Sequence, residues 1–137
     1  MTATAMPGVT GYHHMSVPVT DVDRSEEWYS RVLGFERGFI EKHEGGYAVV
    51  MARPPLYIGL HVHDANEGER FGEHRTGLDH FAISVATRAE LDAWVDYLDG
   101  LSVGHSDIND RNDPFPYATL IIRDADNVQI EQFWMPA

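Results

Sequence analysis

Hydrophobic and polar residues alternate over residues 11–19, with Met15, Val17 and Val19 on one side and His14, Ser16 and Pro18 on the other. A period of two predicts a half-buried strand. The same alternation recurs over residues 78–85. Each run is followed by an apolar stripe at helical spacing: Trp28, Val32 and Leu33 in the first, Leu91, Trp94, Val95 and Leu98 in the second. Such stripes predict helices that bury one face. Asp23 with Glu26, and Thr87 with Glu90, have the spacing of a capping box. Gly34 and Gly100 stand where a left-handed residue ends a helix. Further strand-like runs cover 38–41, 47–52 and 57–63, then 103–108, 118–123 and 128–134. The predicted order is βαβββ, twice, around a polar, glycine-containing loop at 64–76.

The two halves also align residue by residue. His14-Met15-Ser16-Val17-Pro18-Val19 lies over His80-Phe81-Ala82-Ile83-Ser84-Val85, which carries Trp28 onto Trp94 and Gly34 onto Gly100. A second block sets Tyr47-Ala48 over Tyr117-Ala118, Arg53 over Arg123, Leu60 over Ile130 and His61 over Glu131. Two ordered blocks of matches predict a duplicated module. The expectation is one α+β domain over 1–137, with module one at 10–63, a linker at 64–76 and module two at 77–134.

With 43% hydrophobic and 23% charged residues, the 137-residue chain has the balance of one globular domain. No run approaches the eighteen or so apolar residues of a transmembrane helix. Residues 1–8 lack the basic and apolar regions of a signal peptide and read as a polar arm, so the cytoplasm is the expected location. The net charge of −12 argues against nucleic acid and against anionic membrane surfaces as partners. The absence of cysteine excludes thiol nucleophiles, disulfides and cysteine-type zinc sites. No phosphate-binding glycine loop, nucleophile elbow or helical zinc motif is present. The chemistry left is that of histidines, carboxylates and aromatic side chains.

His14 and His80 face away from the apolar residues of their strands, His61 away from Leu60 and Val62, and Glu131 away from Ile130. If the two sheets curl into one cleft, these four groups converge. Three imidazoles and a carboxylate are donors for a divalent transition metal. Two imidazoles and a carboxylate would leave coordination positions open for substrate or water. The plainer reading of a strand histidine is a surface or hydrogen-bonded structural residue, and it is the one adopted for His13, His43, His74 and His105. Tyr47 and Tyr117, aligned with each other, are candidates to line the cleft and bind substrate; the alternative is ordinary strand packing. Asp124-Ala125-Asp126-Asn127 has the composition of a tight turn.

These residues resemble the vicinal oxygen chelate superfamily, the glyoxalase, bleomycin-resistance and extradiol-dioxygenase group. The first signature is His14-Met15-Ser16-Val17-Pro18-Val19-Thr20-Asp21 with Trp28-Tyr29 and Val32-Leu33-Gly34-Phe35. The second is residues 77–85, and the third is Asp124-Ala125-Asp126-Asn127-Val128-Gln129-Ile130-Glu131, with Ala where the family has Pro. The resemblance implies paired βαβββ units forming an open cupped sheet around a divalent metal (Fe, Zn, Ni, Mn or Co), and a homodimer whose cleft uses modules of two subunits. It places metal ligands at His14, His80 and Glu131, with the fourth position nearest His61. It implies a glyoxalase-like lyase or isomerase acting on a small molecule with vicinal oxygens, with Glu131 or His61 as acid or base. An imidazole in place of a second carboxylate departs from the lactoylglutathione lyase pattern. Ile121 stands where extradiol dioxygenases have Tyr. An iron-dependent dioxygenase and a non-catalytic antibiotic-sequestering protein remain the alternative readings.

Overall fold

A computed structural model describes residues 3–137. Two four-stranded sheets carry the chain. Sheet one orders β1 (Met15–Pro18), β4 (Leu56–His63), β3 (Gly46–Arg53) and β2 (Glu36–His43). Sheet two orders β5 (Phe81–Ser84), β8 (Gln129–Trp134), β7 (Tyr117–Arg123) and β6 (Asn109–Arg111). In each sheet the first strand pairs in parallel with the last, and the remaining pairs are antiparallel. Helix α1 (Val22–Leu33) packs on β3 and β4, and α2 (Arg88–Gly100) packs on β7 and β8. The architecture is the expected α+β arrangement of two βαβββ modules. No helix among the described residues is long and apolar enough to cross a membrane.

The helices form where the stripes predicted them, with corrected ends. Asp21 caps α1, its carboxylate accepting from Arg24 N at 3.1 Å, so the capping position precedes the Asp23–Glu26 pair. Gly34 ends α1 at φ 73°. In α2, Thr87 accepts from Glu90 N at 3.2 Å as predicted. Gly100 is the last helical residue instead of the stop, and Ser102 takes the left-handed turn at φ 57°. The strand predicted at 103–108 forms later and shorter, as the exposed β6.

The helix-facing sides of both sheets meet in one hydrophobic core. Val17, Val49, Met51, Ile58 and Leu60 come from sheet one, Leu120, Ile122 and Ile130 from sheet two, and Trp28, Tyr29, Leu33, Leu91 and Leu98 from the helices. Full burial of each such aliphatic side chain contributes about 1.5–3 kcal/mol. Polar contacts also cross between the modules. The Tyr29 hydroxyl donates to Asp124 Oδ2 at 2.7 Å, and Thr20 and Arg24 both donate to Asp126. Asp124 in turn accepts from Asp126 N and Val128 N, each at 2.9 Å, which shapes the β7–β8 loop and delivers β8 to the core.

The ladder registers correct the internal alignment. Ala48 faces His61 across β3–β4, whereas Ile121 faces Glu131 across β7–β8. Two residues, Pro54 and Pro55, join β3 to β4, but residues 124–128 join β7 to β8. Tyr47 and Tyr117 are therefore not equivalent once His61 is laid over Glu131.

Candidate metal centre

In β5 the core-facing residues Phe81 and Ile83 turn the alternate positions, Ala82 and Ser84, to the opposite face. His80 lies one step before this strand, on that same face, and Ala82 pairs in register with Glu131 of β8. Glu131 is held outward because Ile130 and Gln132 on either side are fully buried. His80 Nε2 stands 3.1 Å from Glu131 Oε2. Its other ring nitrogen, Nδ1, is 2.7 Å from Asp79 Oδ1. The Asp79 hydrogen bond, with the nearby Glu131 carboxylate, holds the imidazole above its ordinary pKa against partial desolvation.

This donor set fits a divalent metal. A metal-bound histidine characteristically gives its second N–H to a carboxylate, which orients the ring and raises its basicity. Asp79 occupies that position for His80, leaving Nε2 and Glu131 on one side as the donor pair. Sequence reasoning missed Asp79, whose signal was its place directly before a candidate ligand.

His14 approaches the same region from the other sheet. β1 and β5 each lie at one edge of their sheets, and a cavity of about 440 Å³ is lined by His14, Met15, Tyr57, His80, Phe81 and Ala82, among others. His14 is exposed, and its Nδ1 lies 2.9 Å from His13 Nδ1. His14 and His80 thus share a cavity, while His80 and Glu131 are in direct contact.

His61 lies elsewhere. Met15 pairs with Ile58 and Pro18 with His61, so His14 falls beside Tyr57, four positions from His61 along β4. His80, by the same extension of its ladder, falls beside Gln129, only two positions from Glu131. The register counterpart of Glu131 in sheet one is Gly59, not His61. The His61 ring leans over that glycine: a Cβ at Gly59 would stand 3.1 Å from His61 Nε2 and 2.7 Å from Ser16 Oγ. The other side of the ring meets His43, with Nδ1 3.2 Å from His43 Nε2. Burial, then the facing His43 and His63, lower the His61 pKa.

The two tyrosines separate. Tyr47 packs on the core beside Val49 and Met51, on the face opposite His61, and so does not line the cleft. Tyr117 alternates with the core residues Ala118, Leu120 and Ile122 and faces the Glu131 side, where it stacks on Phe133 with ring centroids 5.4 Å apart. Ile121 pairs directly with Glu131 on that face.

The family model of the glyoxalase/bleomycin resistance protein/dioxygenase superfamily matches residues 11–132. The chain belongs to that superfamily. Among solved structures, a glyoxylase/bleomycin resistance protein/dioxygenase domain from Frankia sp. EAN1pec is 28% identical, with a TM-score of 0.83 over 94% of this chain and 100% of that one. A glyoxalase family protein from Enterococcus faecalis is 16% identical, with a TM-score of 0.74 over 90% and 97% of the two chains. The fosfomycin resistance protein FosX from Listeria monocytogenes, in complex with Mn(II) and sulfate, is 14% identical, with a TM-score of 0.66 over 94% and 95%. No curated protein matches the chain. At these identities the second and third likenesses extend to the fold. Within the superfamily this member presents the Asp79–His80–Glu131 array and His14 at the junction of its two sheets.

Proposed function

We propose that this superfamily member is a metal-dependent enzyme, of glyoxalase-like lyase or isomerase type, acting on a small molecule with vicinal oxygens. The observation that carries this reading is the Asp79–His80–Glu131 array: an oriented imidazole in contact with a carboxylate, the imidazole lining a cavity that also receives His14. His14, His80 and Glu131 would hold the divalent ion, with His14 drawn from the same chain or from a second subunit of a homodimer. A bound ion would supply Lewis acidity to two neighbouring substrate oxygens. Asp79 keeps the His80 Nδ1 proton engaged, so that Nε2 faces the site. Glu131, the carboxylate of the set, is the base for a proton on the carbon that bears one of these oxygens and adjoins the carbon bearing the other. Tyr117 and Phe133 form an aromatic wall on the Glu131 face against which the substrate would be positioned. His61 stands outside this set, beside His43.

Support for a divalent ion comes from the FosX structure that holds Mn(II). The apolar Ile121 opposite Glu131 disfavours the ring-cleaving dioxygenase reading, since it offers no phenol beside the metal position. Antibiotic sequestration is the second reading, and its ligand binding would survive chelation. β2 is an exposed eight-residue edge strand carrying Phe39 and Ile40, which supports pairing between subunits. A cytoplasmic location follows the same reading. The test is metal analysis of freshly purified protein beside its His80→Ala and Glu131→Gln variants. Wild type should retain about one ion at this centre, and each variant should lose it while keeping its circular dichroism. Full occupancy in both variants would overturn the assignment.

A further inference from the structure

Sheet one carries a second cluster of metal donors that the proposed reaction does not use. His43 ends β2, and His61 and His63 lie two apart on β4, so all three share one face. His43 pairs with Gly46, and Gly46 with His63, which sets the two imidazoles on either side of a residue with no side chain. His61 lies one row further along, across from Ala48. Gly46 and Ala48 form a low floor beneath three rings. The floor cannot be raised at its centre, since a Cβ at Gly46 would collide with the Val62 carbonyl oxygen.

We propose that His43, His61 and His63 form a second divalent transition-metal site, separate from the His80–Glu131 centre. One ring nitrogen from each lies within 4.8 Å of the other two. Zinc–nitrogen bonds of 2.0–2.1 Å place tetrahedral ligands roughly 3.4 Å apart. His43 Nε2 and His61 Nδ1, 3.2 Å apart, already stand at that spacing. His43 is also oriented for ligation. Its Nδ1–H donates to the Glu44 carbonyl oxygen at 3.0 Å, which leaves the Nε2 lone pair aimed at the cluster. Without an ion, the His61 Nδ1–H donates to that lone pair; ligation requires only that His61 carry its proton on Nε2 instead. Glu41 lies across Ala48 in the row of His61 and brings a negative charge to the otherwise neutral donor set. Three imidazoles select zinc, nickel, cobalt or copper over magnesium and calcium.

The probe is zinc alone, titrated calorimetrically into the chelator-stripped full-length chain carrying His80→Ala and Glu131→Gln, which removes the other centre. One zinc per chain should still bind. Adding His63→Ala, at an exposed position, should weaken that binding by at least the tenfold to hundredfold lost when an outer partner is removed. His43→Ala should do the same. Absence of zinc binding in the His80→Ala/Glu131→Gln chain would overturn the proposal, as would an affinity unchanged by both triad substitutions. Turnover is read separately: a wild-type chain lacking only His63 should keep the activity that depends on His80, so failure of either site is visible without the other.

Discussion

Replacing Tyr29 by Phe isolates the contact that ties the first helix to the last loop. The Tyr29 ring is fully buried and Asp124 is 7% exposed, so the 2.7 Å bond between them is screened from water. A buried hydrogen bond to a charged group is worth about 1.5–3 kcal/mol. The carboxylate keeps two backbone donors, Asp126 N and Val128 N, which places the expected loss near 2 kcal/mol rather than at the upper end. In a domain of this size that corresponds to a fall in Tm of about 6–10 °C. Urea denaturation should show a lower midpoint with an unchanged slope, since the folded surface is the same. Burial holds the Asp124 pKa above its ordinary value, while the Tyr29 hydroxyl and the backbone N–H groups pull it down. The stability linked to this group is therefore greatest below the ordinary carboxylate pKa and is lost as pH rises through the raised one. Removing the hydroxyl raises that pKa further, so the variant's deficit is larger at pH 7 than in acid. A loss below about 0.5 kcal/mol at pH 7, or a null coupling in a double-mutant cycle with Asp124→Asn, would refute the reasoning.

Gln132 is fully buried on β8, and neither of its side-chain amide atoms has a hydrogen-bond partner among the described residues. Gln132→Met keeps the volume and removes the unmet polar groups, so it should stabilise the fold by about 1–3 kcal/mol in urea melts; destabilisation would show that the amide is satisfied. His105 donates to the Ser106 carbonyl and to Asp99, each at 2.7 Å, and these two bonds raise its pKa. Its contribution is complete below about pH 6.5 and lost as pH rises through the raised value, so His105→Ala should cost about 0.5–1 kcal/mol at pH 5.5 and less at pH 9. Equal costs at the two pH values would contradict this.

Strand and helix identity was legible wherever periodicity was strong. The alternation around Val17 and Ile83 and the stripes through Trp28 and Leu91 each became the element they predicted. Ends were less legible, because Asp21 and Asp23 are both acceptable caps and only the backbone decides between them. His80 and Glu131 could be placed on a common face from parity alone, and the structure puts them in contact. The position of His61 could not be read this way. Parity gives the face of a strand but not its stagger, and β1 is displaced along β4 by two residues relative to β5 along β8. A two-residue slip preserves every in-and-out assignment while moving a side chain by roughly 6.6 Å. The different hairpin loops hid the divergence of Tyr47 from Tyr117 in the same manner. Sequence alone leaves His43 a surface or structural residue, because its partners lie on another strand, 18 and 20 positions away.

The loop between β7 and β8 makes the halves of this chain poor candidates for exchange. Asp124 and Asp126 satisfy groups on Tyr29, Thr20 and Arg24, and the Asp126 carbonyl accepts from Phe71 N at 3.0 Å. Arg123, at the loop's edge, is paired with Glu73, and Asn127 reaches the Phe71 carbonyl. Residues 20–29, 70–73 and 123–127 are therefore one contact unit scattered over three stretches of sequence. A chimera that joins the first half of this protein to the second half of a relative would cross that unit. It would fold well only if the relative supplies the same acidic pair or the three stretches are transplanted together. The two modules share one order of elements, but the clasp between them makes each a specific complement of the other.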